Sequence, residues 1–194
     1  AVADGVDVIN FSISGTSTNF RDPVEIAFLF AADAGVFVAA SAGNSGPTTA
    51  TVAHPSPWLT TVAAGTHNRS LLATVVMGNG ASYTGASSAA ATVANKPLID
   101  SIAAGLPGAN ATAVSLCFSA SWNGGTAVLD PARVAGKIVV CDRGVNDRVD
   151  KSLAVQEAGG LGMVLINTSP NSLVSDFHAV PTVHLADTVR AAVK

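Results

Sequence analysis

The first third of the chain alternates short apolar runs with one apolar helical segment. Residues 6–12 are a short run rich in apolar and β-branched residues, and residues 36–40 are a continuous apolar run, and both patterns are typical of strands. Between them, Asp22-Pro23 provides an N-cap and a proline at the first helical position, and Gly35 provides a stop, so a helix is predicted over 23–34. A strand, a helix and a second strand in this order predict a βαβ unit with parallel, buried strands.

The remainder of the chain continues the alternation of strands and helices. A short strand is predicted over 61–64, and a hairpin over 74–83 with Gly78-Asn79-Gly80 at its turn. Later elements are strands over 136–141, 162–166 and 182–185 and a helix over 150–158. We therefore expect an α/β fold in which a partial parallel sheet, residues 1–84, is followed by a smaller α+β domain, residues 85–194.

Composition and charge exclude several classes of protein. Hydrophobic residues make up 48% of the 194 residues, which is enough for a core and excludes a disordered chain. Only 12% of the residues are charged and the net charge is −3 without a basic cluster, so no nucleic-acid partner is expected. No apolar run reaches the roughly 20 residues of a membrane helix, so no membrane partner is expected. The excess of small residues indicates a secreted protein.

The spacing of the residues gives little support to cofactor chemistry. Cys117 and Cys141 lack the spacing of a zinc or thioredoxin motif, which leaves either one disulfide or two buried thiols. The histidines show no metal-ligand spacing, and no glycine-rich loop opens a helix as a phosphate site requires. No cofactor and no bound metal are therefore expected.

The carboxyl ends of the two parallel strands are where a site is expected, since ligands of parallel sheets bind there. These ends are Ser12-Ile13-Ser14 and the residues from Ser41 to Asn44. Asn44 lies between glycines, and its amide N–H groups are able to donate into a cleft and stabilise an oxyanion. The alternative is that Asn44 takes a turn conformation, which asparagine tolerates.

Residues for a nucleophile, a base and an orienting acid are present only as generic residues. Ser17 and Ser87 each lie two residues after a glycine, in Gly15-Thr16-Ser17 and Gly85-Ala86-Ser87. No helix of the kind that carries a nucleophilic serine is predicted after either one, so both are interpreted as loop residues. The histidines are isolated in the sequence and are interpreted as surface or core residues: His54, His67, His178 and His184.

Several longer segments resemble known sequences. The strings DGVDVINFSISG (4–15), FVAASAGNSGP (37–47) and PWLTTVAAGT (57–66) resemble the middle of a subtilisin-like serine protease, a subtilase. The later strings VAGKIVVCDRG (134–144), KSLAVQEAGGLGMV (151–164) and VPTV (180–183) are similar to the protease-associated (PA) domain inserted in larger subtilases. The resemblance covers nearly the whole chain.

The resemblance implies roles for particular residues. Asn44 would be the side-chain donor of the oxyanion hole, and Ser12, Ile13 and Ser14 would form the extended strand that pairs with the substrate backbone. Ala42 and Gly43 would line the other wall of the adjoining pocket. Many relatives have glycine at the position of Ser14, so the larger serine side chain would narrow this pocket. Cys117 and Cys141 would form the disulfide of the PA domain.

The resemblance also implies that the triad lies outside this chain, with the Asp and His motifs before Ala1 and the Ser motif after Lys194. The expected function is that of a central fragment of a secreted, extracellular serine endopeptidase, which acts on peptide or protein substrates through an acyl-enzyme. Its PA domain would select substrates or mediate self-association, and the fragment alone would be inactive. A calcium site is left open for the parent protein, but no residue here supports one.

Two other functions compete with this expectation. The first is a non-catalytic PA-type protein-interaction module in which the α/β part is a remnant. The second is an unrelated α/β ligand-binding protein, which two free thiols would favour.

Overall fold

The computed structural model describes residues 1–65 and 67–194, which divide into two compact units, Ala1–Asn68 and Arg69–Lys194. Mixed helix and sheet in both units confirms the α/β class. The division lies before the predicted hairpin, whereas the sequence suggested a boundary after it, because the hairpin pairs with a later strand of the second unit. Within the described residues, no helix is long and apolar enough to cross a membrane.

The first unit contains the predicted βαβ arrangement. Its three-stranded sheet has the order β1-β2-β3, with parallel pairing throughout. The elements are a 3-10 turn at Val2–Asp4, β1 at Val8–Phe11, α1 at Pro23–Asp33, β2 at Phe37–Ser41 and β3 at Thr60–Val62. A small core lies between the helix and the sheet and contains Phe28, Ala31, Val36 and Val38.

Helix α1 begins and ends as its sequence predicts. The side chain of Asp22 accepts a hydrogen bond from the Val24 N–H at 2.9 Å, which satisfies one of the free donors of the first turn. Gly35 follows the helix at φ +84°, a conformation that glycine adopts without strain. Apolar residues lie nearly all around α1, which predicts that other parts of the protein bury most of its surface. In the structure, however, Phe30 is 67% exposed.

The second unit contains a six-stranded mixed sheet with the order β4-β5-β9-β8-β7-β6. Strands β6 to β9 are parallel, while β4 and β5 form the predicted hairpin and run antiparallel. This sheet is larger than expected because the hairpin and the unpredicted β6 join it. The strands are β4 at Leu72–Val76, β5 at Ser82–Ala86, β6 at Leu98–Asp100, β7 at Ile138–Asp142, β8 at Gly162–Ile166 and β9 at Thr182–Leu185.

Helices cover the parallel part of this sheet, which is buried on both faces. Val139 and Met163 belong to one core cluster, while their neighbours Val140 and Val164 belong to another. The sequences of such strands are continuous apolar runs, because neither face of the sheet is in contact with water. The helices are α2 at Ala111–Ser115, α3 at Pro131–Val134, α4 at Arg148–Glu157 and α5 at Arg190–Val193, with 3-10 turns at Ser101–Ala104 and Asp187–Val189.

A disulfide joins Cys117 to Cys141 beside a buried lysine. Both cysteines are fully buried, and their Cα atoms are 5.8 Å apart. Lys151 is also fully buried and donates to the carbonyl of Leu116 at 2.7 Å and to the side-chain oxygen of Asn146. Burial lowers the pKa of Lys151 to about 8, since a desolvated ammonium is less stable than one in water.

Asp142, at the end of β7, is a nearly buried carboxylate that binds three donors. Arg190 donates two hydrogen bonds to it, at 3.0 and 2.8 Å, Ser115 donates one at 2.7 Å, and Lys194 donates one at 3.0 Å. Burial is the largest single influence on its pKa and acts to raise it. The hydrogen bonds together outweigh burial and lower the pKa of Asp142 from 3.8 to about 2.

Acid should therefore destabilise the second unit through Asp142. The carboxylate stabilises the fold fully above its unfolded pKa near 4, and this contribution is lost as the pH falls towards its folded pKa near 2. The expected loss is about 2 kcal/mol of unfolding free energy. Urea denaturation between pH 5 and pH 2, followed by Trp122 fluorescence in a Trp58→Phe background, measures it.

Asp142→Asn should lose most of this pH dependence and be less stable at neutral pH. Asp4→Asn is the control, because Asp4 lies at an exposed position of the first unit. An unchanged acid transition in Asp142→Asn would contradict the assignment.

Candidate functional site

Asn44 lies just beyond the carboxyl end of β2, where the parallel sheet was expected to carry a site. Ala42 continues the pairing by donating its N–H to the Val62 carbonyl at 2.9 Å, and the chain then bends at Asn44. The Asn44 side chain is exposed, and it makes no hydrogen bond within residues 1–65 and 67–194. Its amide is therefore not engaged by its own turn in the described structure.

The two segments that were expected to form the pocket walls lie side by side. Gly43 has φ +77°, and a Cβ added there would lie 3.3 Å from the Ser14 hydroxyl oxygen and 3.4 Å from the Ala53 Cβ. Ala53 also donates its N–H to the Ala42 carbonyl at 3.0 Å. The structure thus brings Ser14, Ala42 and Gly43 together, and it adds Ala53, which the sequence did not single out.

Residues 12–14 continue beyond β1, which ends at Phe11, and they include a bend at Ile13. Because they lie outside the β1–β2 register, side chains hold them instead of a strand ladder. The carbonyl of Ile13 accepts from the Ser41 hydroxyl at 3.1 Å and lies 3.0 Å from Nε2 of His54. The Ser12 hydroxyl accepts from the Asn10 side-chain amide at 3.0 Å.

A buried pair of Glu25 and His54 stands behind this segment. Both residues are fully buried, and Nδ1 of His54 lies 2.5 Å from Oε1 of Glu25. The rings of Phe11 and Phe28 pack edge-on against the imidazole, with centroids 5.5 and 6.1 Å away. Trp58 donates its ring N–H to the Glu25 carbonyl at 2.8 Å.

The hydrogen-bond geometry fixes the protons of the His54 ring. The Ile13 carbonyl only accepts, so Nε2 of His54 must carry a proton and donate it. One further proton lies between Nδ1 of His54 and Oε1 of Glu25, and it makes that contact a hydrogen bond in either charge state. Because the carbonyl occupies Nε2, His54 is not available as a general base for a serine.

Sequence reasoning interpreted His54 as an isolated residue and missed this pair. The sequence left open whether His54 is a surface or a core residue, and the structure places it in the core, with its partner 29 positions away in the sequence. The available signal was Glu25 itself, a carboxylate inside an otherwise apolar helical segment.

The other candidate residues do not form a catalytic group. Ser87 is buried and donates to the Thr182 carbonyl at 2.6 Å, while Ser17 is exposed in a bend. Among the residues that the structure describes, no group of three or more His, Cys, Asp or Glu side chains could hold a metal ion.

Gly15 should be indispensable for the position of His54. A Cβ at Gly15 would overlap the imidazole ring, so Gly15→Ala must displace either the ring or the segment. We expect a loss of about 1–3 kcal/mol of unfolding free energy. Gly65→Ala is the matched control, because no atom of the described residues lies within 4 Å of its added Cβ. Urea denaturation followed by Trp58 fluorescence in a Trp122→Phe background measures both, and equal stabilities would refute the packing argument.

Comparison with known proteins identifies both parts of the chain. The subtilase family model matches residues 1–130, and the PA domain model matches residues 73–192. Subtilisin-like protease SBT1.7 of Arabidopsis thaliana is 42% identical over 184 residues, which cover 93% of this chain and 23% of that protein. SBT1.6 of the same plant is 42% identical over 187 residues, with the same coverage, and SBT1.3 is 42% identical over 198 residues, 96% of this chain and 24% of that protein.

The chain spans about a quarter of the length of these curated relatives. The family model covers more than half of the chain, and the relatives match almost all of it. The chain therefore belongs to the subtilase family and carries a PA domain.

Proposed function

We propose that this chain supplies the oxyanion donor and the substrate strand of a secreted serine endopeptidase. The observation that carries the proposal is the Asn44 amide, exposed at the end of a parallel strand beside a glycine and not hydrogen-bonded within the described residues. During acyl transfer, the carbonyl oxygen of the scissile bond becomes an oxyanion. An amide N–H aimed at that oxygen lowers the barrier because its dipole is already oriented.

The nucleophile, the general base and the orienting acid would come from other parts of the full-length protease. His54 would not take the part of the general base, since its Nε2 is occupied by the Ile13 carbonyl. Residues 1–194 alone are therefore proposed to be inactive, while the full-length protein would form and hydrolyse an acyl-enzyme on a serine.

Residues 12–14 would bind the substrate backbone. The Ile13 carbonyl is directed inwards to Ser41 and His54. The carbonyls of Ser12 and Ser14, on either side of the bend at Ile13, would be the groups that pair with the substrate. Ser14, Ala42 and Gly43 would then line the pocket for the residue before the scissile bond, and the Ser14 hydroxyl beside Gly43 would favour a small or slender side chain.

The PA domain would select substrates or bind other proteins, including a second copy of the protease. Phe177 supports such a role, because it is 89% exposed in a segment that Asp176 anchors to Arg148 through a 2.5 Å hydrogen bond. The disulfide supports secretion, since such bonds persist mainly in oxidising compartments.

Asn44→Ala in the full-length protease should lower kcat by about 10²–10³-fold, the range known for loss of one such donor in a subtilisin. KM should change little, because the oxyanion forms only as the reaction proceeds. Steady-state kinetics on a peptide p-nitroanilide measures both constants. Ser45→Ala, at the next exposed position, is the control and should behave as the wild type. A rise in KM with an unchanged kcat would exclude the oxyanion role.

A fluorophosphonate probe separates a protease from a non-catalytic interaction module. The full-length protein should be labelled stoichiometrically at a serine outside residues 1–194, and the chain 1–194 alone should remain unlabelled. Mass spectrometry of the labelled peptide locates the serine. An unlabelled full-length protein would favour the interaction module, and a label within residues 1–194 would overturn the proposed division of roles.

A further inference from the structure

We propose that Glu25, His54 and Ser41 are positioning residues that hold the substrate strand 12–14 through the carbonyl of Ile13. The inference rests on the proposed function, because it assigns a purpose to that strand. None of the three residues would touch the substrate. They would act by fixing the direction of the peptide groups that do.

The Ile13 carbonyl is where the strand is held. β1 ends at Phe11, so the following segment lacks the ladder that aligns a strand with its neighbours. Two side chains from different parts of the sequence replace it, the Ser41 hydroxyl at 3.1 Å and Nε2 of His54 at 3.0 Å. The backbone of His54 adds a further bond, since its N–H donates to the Thr16 carbonyl at 2.9 Å. The segment is therefore held on both sides of Gly15.

His54 is itself held firmly in place. Its φ is +53°, a conformation that few residues other than glycine adopt and that is common at functional sites. The Thr61 hydroxyl donates to the His54 carbonyl at 2.5 Å, and Glu25 binds the ring on the side opposite to Ile13. The absence of a side chain at Gly15 leaves room for the ring.

The role of Glu25 is to keep the proton of His54 on the nitrogen that faces Ile13. With a partner on Nδ1 that supplies or shares a proton, Nε2 keeps its hydrogen and donates to the carbonyl. Without that partner, the neutral ring is free to place its only proton on Nδ1. The Nε2 lone pair would then face the Ile13 carbonyl, and the two acceptors would repel each other.

The consequence of this arrangement depends on the length of the substrate. A tetrapeptide pairs with residues 12–14 and gains from their alignment, whereas an ester of a single amino acid makes little use of the strand. Misalignment should therefore raise KM for the long substrate and leave the short one nearly unchanged. A general loss of folding would affect the two substrates equally.

The test compares kcat and KM of the full-length protease on two substrates with the same residue before the scissile bond. One is an apolar tetrapeptide p-nitroanilide, and the other is an N-acetyl single-residue ester. Glu25→Leu should lower kcat/KM for the tetrapeptide by about 10- to 100-fold, mainly through KM, and by less than about threefold for the ester. Ser41→Ala, which removes a half-buried hydroxyl and leaves the core intact, should show the same selectivity at a smaller magnitude.

Two further variants separate positioning from packing. Glu25→Gln should behave nearly as the wild type, because its amide N–H is able to donate to Nδ1 and keep the proton on Nε2. Trp58→Phe removes the bond to the Glu25 carbonyl but leaves the Glu25 and His54 side chains paired. It should keep the wild-type ratio of kcat/KM between the two substrates even where it lowers stability.

Each outcome decides the inference. Selective loss on the tetrapeptide in Ser41→Ala and Glu25→Leu, with rescue in Glu25→Gln, supports it. Equal losses on both substrates, or no loss in Ser41→Ala, would overturn it while leaving the proposed function intact. A wild-type full-length protein that cleaves neither substrate would instead overturn the proposed function, and the inference with it.

Discussion

Parallel pairing of β1 with β2 is the constraint on which the candidate site depends. Because the two strands run in the same direction, the residues that follow them leave the sheet at the same edge. One strand delivers residues 12–14 to this edge, and the other delivers Ala42, Gly43 and Asn44. The crossover through α1 makes this parallel arrangement attainable, since a tight turn joins only antiparallel strands.

The two units stabilise buried charge in different ways. In the first unit, Glu25 shares a proton with His54 and so carries no isolated charge into the core. In the second unit, Asp142 remains ionised because cationic and hydroxyl donors surround it, while Lys151 has mainly neutral oxygen partners and a pKa lowered by burial to about 8. These differences follow from the rule that a desolvated charge needs either a partner or the loss of its charge.

The sequence predicts the parallel elements well but not the way in which the site is supported. Short runs rich in apolar residues predict β1 and β2, and an N-cap, a proline and a final glycine predict α1. The structure confirms all three elements. β6 and the helices α2 and α3 were missed, because three to five residues are too short to show a periodicity.

The support of Ile13 was also beyond the reach of the sequence. Its hydrogen-bond partners are 28 and 41 positions away, and neither Ser41 nor His54 belongs to a motif with a fixed spacing. Such a contact is decided by where the chain returns in space. The position of Asn44 shortly after β2, by contrast, follows from the apolar run 36–40 that predicts this strand.

The hairpin β4–β5 has a short backbone pairing with the rest of its sheet. Five register positions pair its two strands with each other, whereas in the described structure a single position, Ala86 opposite His184, pairs it with β9. At Gly85, an added Cβ would overlap the carbonyl of His184, so the two backbones are in direct contact at this crossing. The backbone of the hairpin is thus paired with the sheet near one end, while Val75 and Tyr83 pack against the core cluster that contains Val140 and Val164. Local opening of this domain would separate this short pairing before the longer ladders of the four parallel strands.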